Sequence, residues 1–343
     1  MSSRRSIPTE DRISALPDSV ICHILSFLPT KQSVTTTILS KRWNPLWLSV
    51  LTLDFDDQDF SDFTAFRHFV YRVMLLRNTS SPILSFNLKC GHSSGFDAKD
   101  IDIFIHAVLQ RGIQNLNLKI LTPMINSFKL PPCILTLNSL TVLELKQLTI
   151  DYSIVNLPLL KTLHFENINF SELDPRFLKT FLHGCPVLED LDLQDILLCN
   201  RKCGEFNGLL KLVKANINIK KGWIFPFAWI PNAKFLCAKL YRPYGCQVPV
   251  FHNLTHLKIV FAWTKIDGLG KWIGKWMTKV LQNCPKLQNL TIHQDVINRD
   301  EIVDEDWVDQ PIVPKCLSSE LRTCSLTAYM KAGSVSFSLQ STF

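Results

Sequence analysis

The stretch Phe181-Leu-His-Gly-Cys-Pro-Val-Leu-Glu-Asp-Leu-Asp-Leu returns later in the chain as Val280-Leu-Gln-Asn-Cys-Pro-Lys-Leu-Gln-Asn-Leu-Thr-Ile. The two stretches align over 13 positions at a fixed offset of 99 residues, which indicates an internal repeat. Each stretch ends in the pattern apolar-x-x-apolar-x-apolar, whose last two apolar residues lie two positions apart. A strand turns such residues to the same face. The pattern therefore predicts a short strand with one buried face.

The same pattern recurs nine times from residue 83 onward, and successive units begin 20 to 33 residues apart. Most of these steps fall in or near the range of leucine-rich repeats. Each unit buries its apolar face only by stacking on its neighbours. We expect an α/β fold in which parallel strands alternate with outer helices, including helices at 63–77 and 100–111; an ordinary α/β sheet is the alternative. The units begin at Ile83, Ile113, Leu140, Leu160, Leu188, Leu210, Ala233, Leu254 and Leu287.

The first fifty residues have a different, helical pattern. Apolar positions 17, 21, 24, 25 and 28 share one helical face. Pro17 suits the first helical position, and Thr30 after Pro29 is predicted to cap a second helix through Val34 and Leu39. A segment this small is marginally stable alone, so its remaining apolar residues favour a partner. A hairpin that packs only on its own chain is the alternative.

The run from Asp11 to Thr30, together with Leu39-Ser-Lys-Arg-Trp and Trp47, resembles a plant F-box over roughly residues 10 to 52. The resemblance implies a three-helix module that docks on a Skp-type adaptor of a cullin–RING ubiquitin ligase. Pro45 departs from the family pattern, and we expect it to delay or kink the third helix. Matching positions imply the adaptor-facing set Leu16, Pro17, Ile21, Ile24, Leu25, Leu28, Val34, Leu39, Arg42 and Trp43.

The order of features resembles plant proteins with an F-box, leucine-rich repeats and a C-terminal FBD segment. Leu53-Asp-Phe-Asp-Asp and the stretch from Trp307 to Tyr329 carry this likeness. It implies an F-box at 10–52, a repeat solenoid at 53–298, a shortened FBD-like segment at 299–330 and a tail at 331–343, which we expect to be disordered. It also implies a non-catalytic substrate receptor of an SCF-type ligase. A ligase-independent scaffold is the alternative.

Composition agrees with a packed intracellular chain. Of 343 residues, 46% are hydrophobic and 20% charged, which excludes a disordered protein. The N-terminus lacks the apolar core of a secretory signal, and no apolar run reaches the length that crosses a bilayer. The 11 cysteines are scattered, as expected of buried thiols in a reducing compartment. We therefore expect a cytoplasmic or nuclear protein.

Motifs for chemistry are weak in this sequence. His252 and His256 have helical metal spacing but flank a predicted strand, which would hold them about 13 Å apart. We predict no catalytic residues, no metal and no cofactor. Residues 201–290 have a local net charge of +13, but the charge comes mainly from lysine, which suits diffuse attraction better than bidentate recognition. Nucleic-acid binding is thus the weaker alternative to protein binding.

The outward strand positions suggest where a target protein binds. Three of them, Lys214, Lys239 and Lys258, are predicted to form a stripe about 10 Å long on the concave face. Such a stripe suits an acidic or phosphorylated segment of a target; a merely solvated face is the alternative. The full set of outward positions is Asn87, Asn117, Glu144, His164, Asp192, Lys214, Lys239, Lys258 and Thr291.

Overall fold

The computed structural model describes most of the chain. Contacts group the chain into two units, Met1–Leu116 and Asn117–Phe343. The described ranges are 12–13, 15–78, 81–92, 96–121, 128–151, 154–170, 177–196, 206–220, 225–241, 248–263, 269–296, 314–330 and 341–342.

The first unit opens with two short helices, α1 (Asp18–Leu25) and α2 (Thr30–Thr35). Pro17 and Pro29 each take the N-cap position before a helix, with extended backbone angles. Pro17 thus lies one position earlier than predicted. Thr30 is the first residue of α2 rather than its cap, and its Oγ1 accepts the backbone N–H of Asp54 at 2.8 Å.

The third helical element of this segment is a short 3-10 turn, Leu46–Ser49, which begins directly after Pro45. The late start agrees with the expected effect of proline, whose ring lacks an amide donor. Another 3-10 turn, Thr36–Ile38, extends α2. These elements enclose a small core of Ile21, Leu25, Trp43, Leu46, Trp47 and Val50.

The same unit contains the first strands, β1 (Thr52–Asp56) and β2 (Ser85–Cys90), while β3 (Asn115–Ile120) spans the boundary between the two units. Strands β1 and β2 pair in parallel. Between successive strands lie the helices α3 (Phe63–Leu76) and α4 (Ala98–Leu109). The helices predicted at 63–77 and 100–111 are therefore confirmed within two residues.

Both helices begin at an aspartate N-cap. The carboxylate of Asp62 accepts the N–H of Ala65 at 2.8 Å, and that of Asp97 accepts the N–H of Lys99 at 2.9 Å. The backbone hydrogen bond to Ala65 holds the pKa of Asp62 below its ordinary value, because it favours the charged carboxylate. These caps fix where each helix starts and thus how it connects two strands.

From β4 onward, the second unit contains parallel strands in the order β4-β6-β8-β9-β10-β11-β12-β13. The strands are β4 (Val142–Lys146), β6 (Thr162–Glu166), β8 (Asp190–Ile196), β9 (Lys214–Ile219), β10 (Phe235–Leu240), β11 (His256–Trp263), β12 (Asn289–Val296) and β13 (Thr323–Met330). Helices α5 (Phe177–His183), α6 (Leu269–Gln282) and α7 (Lys315–Ser319) connect some of them. A side pair is formed by β5 (Thr149–Ile150) and β7 (Asn169–Phe170).

The chain ends in a further short strand, β14 (Ser341–Thr342), which pairs antiparallel with β13. Two residues of the tail predicted to be disordered are thus in a strand, and that prediction is wrong for them. Residues 331–340 and 343 lie outside the described residues, as do residues 299–313 of the FBD-like segment.

Buried side chains stack in register from strand to strand. Leu143 pairs with Leu163, and Leu163 with Leu191. Each of these is fully buried, while the alternate side chains face outward. The expected parallel strands, each burying two residues per unit, are confirmed.

A repeated backbone feature supports the same conclusion. Gln147, Asn167 and Asp195 all adopt a left-handed conformation, with φ of 58°, 52° and 55°, near the ends of β4, β6 and β8. Gln147 donates its N–H to the carbonyl of Glu166 at 2.9 Å, and Asn167 donates to that of Gln194 at 2.9 Å. A conformation that is costly for non-glycine residues recurs because each unit repeats the same turn.

The unit predicted to start at Leu210 is out of phase by two residues. Leu210 is 63% exposed, whereas Leu212 is buried. In register, Ala215 pairs with Leu191 and Ile217 with Leu193. The pattern therefore begins at Leu212. Leu210 and Val213 also fit the pattern in sequence, but the alternation of buried and outward side chains that continues through the strand begins at Ala215.

Cysteines in the described parts of the chain serve as packing residues. Cys90, Cys185, Cys284 and Cys316 are buried. Burial raises the pKa of the Cys185 and Cys284 thiols to about 12, since a thiolate is poorly solvated there. Such thiols are inert as nucleophiles.

No helix within the described ranges combines the length and apolar character needed to span a bilayer.

Candidate interaction surfaces

The ten residues expected to face an adaptor divide into three groups in the structure. Ile21, Leu25 and Trp43 are buried among the helices of their own chain. The half-buried members are Leu16, Leu28 and Val34, and the exposed members are Pro17, Ile24, Leu39 and Arg42. In this structure, a partner can reach the exposed group most directly.

Three further apolar side chains are exposed in the same segment of the chain. Ile38 is 84% exposed, Phe27 is 75% exposed and Val20 is 39% exposed. Val20 and Ile24 lie on α1, Phe27 lies between α1 and α2, and Ile38 and Leu39 follow α2. Exposed large apolar side chains in a cluster mark interaction sites more often than single ones do. We name Val20, Ile24, Phe27, Ile38 and Leu39 the outer apolar set.

Arg42 fixes the loop that precedes the last turn. Its Nη2 lies 2.6 Å from Asp18 Oδ1, and its Nε donates to the same oxygen at 3.0 Å. The guanidinium also donates to the carbonyl of Leu16. Asp18 opens α1, so the ion pair holds the loop against the start of that helix. Because both side chains are substantially exposed, we expect the pair to add below about 1 kcal/mol.

In the second unit, one outward row crosses six neighbouring strands in register. Asp190 pairs with Lys214, Lys214 with Phe235, and Phe235 with His256. The row continues from His256 to Asn289 and then to Thr323. We name these six residues the Phe235 row.

Side chains along the Phe235 row touch one another. Lys214 Nζ lies 3.0 Å from Asp190 Oδ2, and the Phe235 and His256 rings stack with centroids 4.6 Å apart. Asn289 Nδ2 lies 2.8 Å from His256 Nε2, and Thr323 donates its hydroxyl proton to Asn289 Oδ1 at 2.6 Å. The repeat pattern in the sequence did not predict this row. The signal was present in Phe235-Leu236, since adjacent apolar residues in a strand cannot both face inward.

An open depression lies on the sheet face beside this row. Its polar lining includes Lys214, His256, Lys258, Asn289 and Thr291. Cys237 also lines the depression. The pKa of its thiol is raised, mainly by burial; the charge of Lys258 opposes this shift and the charge of Asp192 adds to it. The depression therefore combines cationic side chains with one exposed aromatic ring.

The three lysines predicted to form a stripe do not lie in one row, so the stripe is wrong. Lys214 is level with Phe235, Lys258 with Cys237, and Lys239 with Val260. Lys258 therefore lies two residues beyond the level of Lys214, and Lys239 lies two residues beyond the level of Lys258. Each step corresponds to about 6.6 Å along a strand. The out-of-phase unit at Leu210 explains the shift of Lys214, and Lys239 follows Ala238 rather than preceding it.

The partners of the three lysines also differ. Lys214 is paired with Asp190, and the Lys239 ammonium lies 5.8 Å from the centre of the Tyr241 ring. Lys258 is exposed. Of the other outward positions predicted from sequence, Asn117 donates to Glu144 at 2.8 Å, and His164 pairs in register with Asp192.

A group of possible metal ligands lies in the first unit, where the sequence analysis expected none. Donor atoms of Asp56, Asp57 and His92 lie within 4.8 Å of one another. Asp57 is fully buried, and its Oδ2 accepts the backbone N–H groups of Gly91 and His92, each at 2.9 Å. These hydrogen bonds make Asp57 a structural brace of the turn after β2.

Comparisons with known proteins agree with this architecture. The F-box domain family matches residues 13–53, and the leucine-rich repeats of the family described as FBD-associated F-box protein At5g56370 match residues 101–209. The chain is 39% identical to the F-box/FBD/LRR-repeat protein At4g26340 of Arabidopsis thaliana, over 93% of this chain and 86% of the relative. It is 36% identical to the putative F-box/LRR-repeat protein At3g59170 of the same plant, over 86% of this chain and 84% of that one. The chain therefore belongs to the plant F-box/leucine-rich-repeat family.

Other relatives match over less of their length. The F-box/LRR-repeat protein At4g14103 of Arabidopsis thaliana is 40% identical, over 55% of this chain and 50% of the relative. For At3g59200 the match spans 37% of the relative's length. The chain thus spans half or less of these two proteins.

Proposed function

We propose that this protein is the substrate-recognition subunit of an SCF-type cullin–RING ubiquitin ligase. Its F-box would bind a Skp-type adaptor and through it the cullin, while its repeats bind a target protein. An F-box joined to leucine-rich repeats is typical of substrate adaptors in general. The protein performs no bond chemistry in this proposal and acts in the cytoplasm or nucleus.

The observation that carries the proposal is the outer apolar set on the F-box helices. Ile38 and Leu39 are 84% and 64% exposed, although apolar side chains are stabilised by burial. A partner that covers them would gain the hydrophobic stabilisation that the isolated chain lacks. The adaptor-facing set is therefore proposed to act through its exposed members, and its buried members to hold the helices in place.

The chain is divided into the segments that the sequence predicts. Residues 10–52 are assigned to the F-box, 53–298 to the target-binding repeats and 299–330 to an FBD-like segment. Target contacts are assigned to the outward strand face that includes Lys214, Lys239 and Lys258. An acidic or phosphorylated target segment would suit this face by charge.

The test measures binding of a purified Skp-type adaptor by isothermal titration calorimetry. We expect the double variant Leu16→Ala/Pro17→Ala and the single variant Leu39→Asp to lose at least tenfold in affinity. Leu75→Asp is the matched control, because Leu75 is 82% exposed on α3 outside the F-box. It should bind as the unaltered chain does.

Equal adaptor affinity for all variants would overturn the proposed docking face. Adaptor binding without ubiquitin transfer to any bound protein in a reconstituted ligase would instead favour the ligase-independent scaffold. Point variants suit this test better than removal of residues 1–52, because Arg77 donates hydrogen bonds to the carbonyls of Trp47 and Val50.

A further inference from the structure

The depression beside Phe235 combines features that the fold itself does not require. Phe235 is 42% exposed at an outward strand position, where the neighbouring strands carry Lys214 and His256. Its ring is covered on one side by His256, at a centroid distance of 4.6 Å. The remaining exposed ring area is an apolar contact site on an otherwise polar face.

Positive charge borders this ring on two levels. On the preceding strand, Lys214 pairs in register with Phe235. On the following strand, Lys258 pairs with Cys237, two residues beyond Phe235. Both lysines are exposed and both line the depression. The described residues of its lining include no carboxylate, but Asp190 pairs with Lys214 at 3.0 Å and the charge of Asp192 acts on Cys237.

Hydrogen bonds fix the orientation of the His256 ring. Asn289 donates to His256 Nε2 at 2.8 Å, so the neutral ring carries its proton on Nδ1, which donates to Thr255 Oγ1 at 2.9 Å. Thr255 in turn donates to the carbonyl of Lys234 at 3.2 Å. A side chain fixed in this way offers a preformed surface and loses little entropy when a ligand binds.

We propose that this depression is the docking site for an acidic segment of the target that carries an apolar side chain. The apolar side chain packs on Phe235 and His256, while flanking carboxylates or phosphates contact Lys258 and Lys214. The inference rests on the proposed function and specifies the target chemistry. Nucleic acid fits less well, because the described residues of the lining include lysine but no arginine, and among them Phe235 and His256 alone offer rings for stacking.

The experiment selects a random dodecapeptide phage library on the full-length protein, once alone and once with a purified Skp-type adaptor added. We expect enriched peptides to combine several acidic residues with an aromatic or large aliphatic residue. The same selection on Phe235→Ala and on Lys258→Glu should lose this class. Lys119→Glu is the matched control, because it reverses an outward charge on β3, away from the depression, and should retain the class.

The leading peptide is then synthesised with a fluorescent label and its affinity measured by anisotropy. We expect a loss of at least tenfold for Lys258→Glu and at least fivefold for Phe235→Ala, and less than twofold for Lys119→Glu. A version with phosphoserine in place of each glutamate separates the two sources of negative charge: the tighter peptide identifies the preferred group. Binding of either version fits the proposal.

Enrichment of basic or uncharged peptides, no enrichment, or equal binding by all variants would overturn the inference. Adaptor affinity and thermal midpoint are measured on the same preparations. Peptide binding lost from all variants with adaptor binding intact contradicts the docking site alone. Adaptor binding absent with peptide selection intact contradicts the proposed ligase role alone.

Discussion

Arg77 donates a hydrogen bond from Nη2 to the backbone carbonyl of Val50 at 2.7 Å, and its Nη1 donates to the carbonyl of Trp47 at 3.2 Å. Arg77 directly follows α3, whereas the two carbonyls belong to the end of the F-box segment. The guanidinium is 2% exposed, and burial, followed by the charge of Arg111, lowers its pKa to about 10. A buried cation thus joins the last F-box turn to the first repeat.

Replacing Arg77 should therefore unfold the first unit more easily. We expect Arg77→Met to lower the free energy of unfolding by at least about 2 kcal/mol, because two buried carbonyls lose their charged donor. Urea denaturation followed by tryptophan fluorescence measures the change, since Trp43 and Trp47 are buried in this region. Arg72→Met is the control, because Arg72 is exposed on the same helix. Equal stability of the two variants would show that these hydrogen bonds contribute little.

Gly184 should tolerate no side chain. A Cβ at this position would lie 2.4 Å from the carbonyl oxygen of Val155 and 2.8 Å from its Cγ1. We expect Gly184→Ala to cost about 1–3 kcal/mol through overpacking. Gly112→Ala is the comparison, since Gly112 has a φ of 77° but no atom within 4 Å of the added Cβ, so only backbone strain of about 1 kcal/mol opposes it. Thermal unfolding of both variants should rank Gly184→Ala as the less stable; the reverse order would contradict the steric argument.

The two groups of F-box residues should separate in mutational tests. Leu25 is fully buried, so we expect Leu25→Ala to destabilise the protein by about 2–5 kcal/mol. Leu39 is exposed, so Leu39→Ala should change stability by less than about 0.5 kcal/mol but weaken adaptor binding. Circular dichroism melting and adaptor titration on the same samples distinguish the effects. If Leu39→Ala melts earlier while binding the adaptor normally, the assignment of its role is wrong.

Sequence patterns predicted the buried face of the strands well. Leucine pairs such as Leu143 and Leu145 stand two apart with a charged residue between them and another after them, so one register is far better than its alternatives. Around Leu210 the apolar residues are denser, and two phases fit. Burial decides between them, and it depends on neighbouring strands that the local pattern does not include.

The F-box helices show the same limit. Ile21 and Ile24 share chemistry and a helical face pattern, yet Ile21 is buried and Ile24 is exposed. Periodicity identifies the apolar face but does not say whether the chain itself or a partner covers it. The Phe235 row was missed for a related reason: its contacts join strands about 20 to 35 residues apart, which no short motif records.

Asp190 should restrain the proposed docking site. Because its carboxylate pairs with Lys214, we expect Asp190→Asn to free that cation and to tighten acidic-peptide binding by about two- to fivefold at low salt. The gain should fade near 0.5 M NaCl, where exposed charges are screened. Glu189→Gln is the matched control: it removes the same charge one residue away, but Glu189 pairs with Lys161 at 3.1 Å. An equal gain from both variants would indicate only a general charge effect.

Amide hydrogen exchange of the full chain, with and without a purified Skp-type adaptor, tests the central claim most directly. We predict that the adaptor slows exchange in residues 18–39, which contain the outer apolar set. Exchange in strands β4 to β12 should stay unchanged and leave the target face available. Protection confined to those strands, or no protection in residues 16–43 at saturating adaptor, would contradict the assignment of this protein as an adaptor-bound substrate receptor.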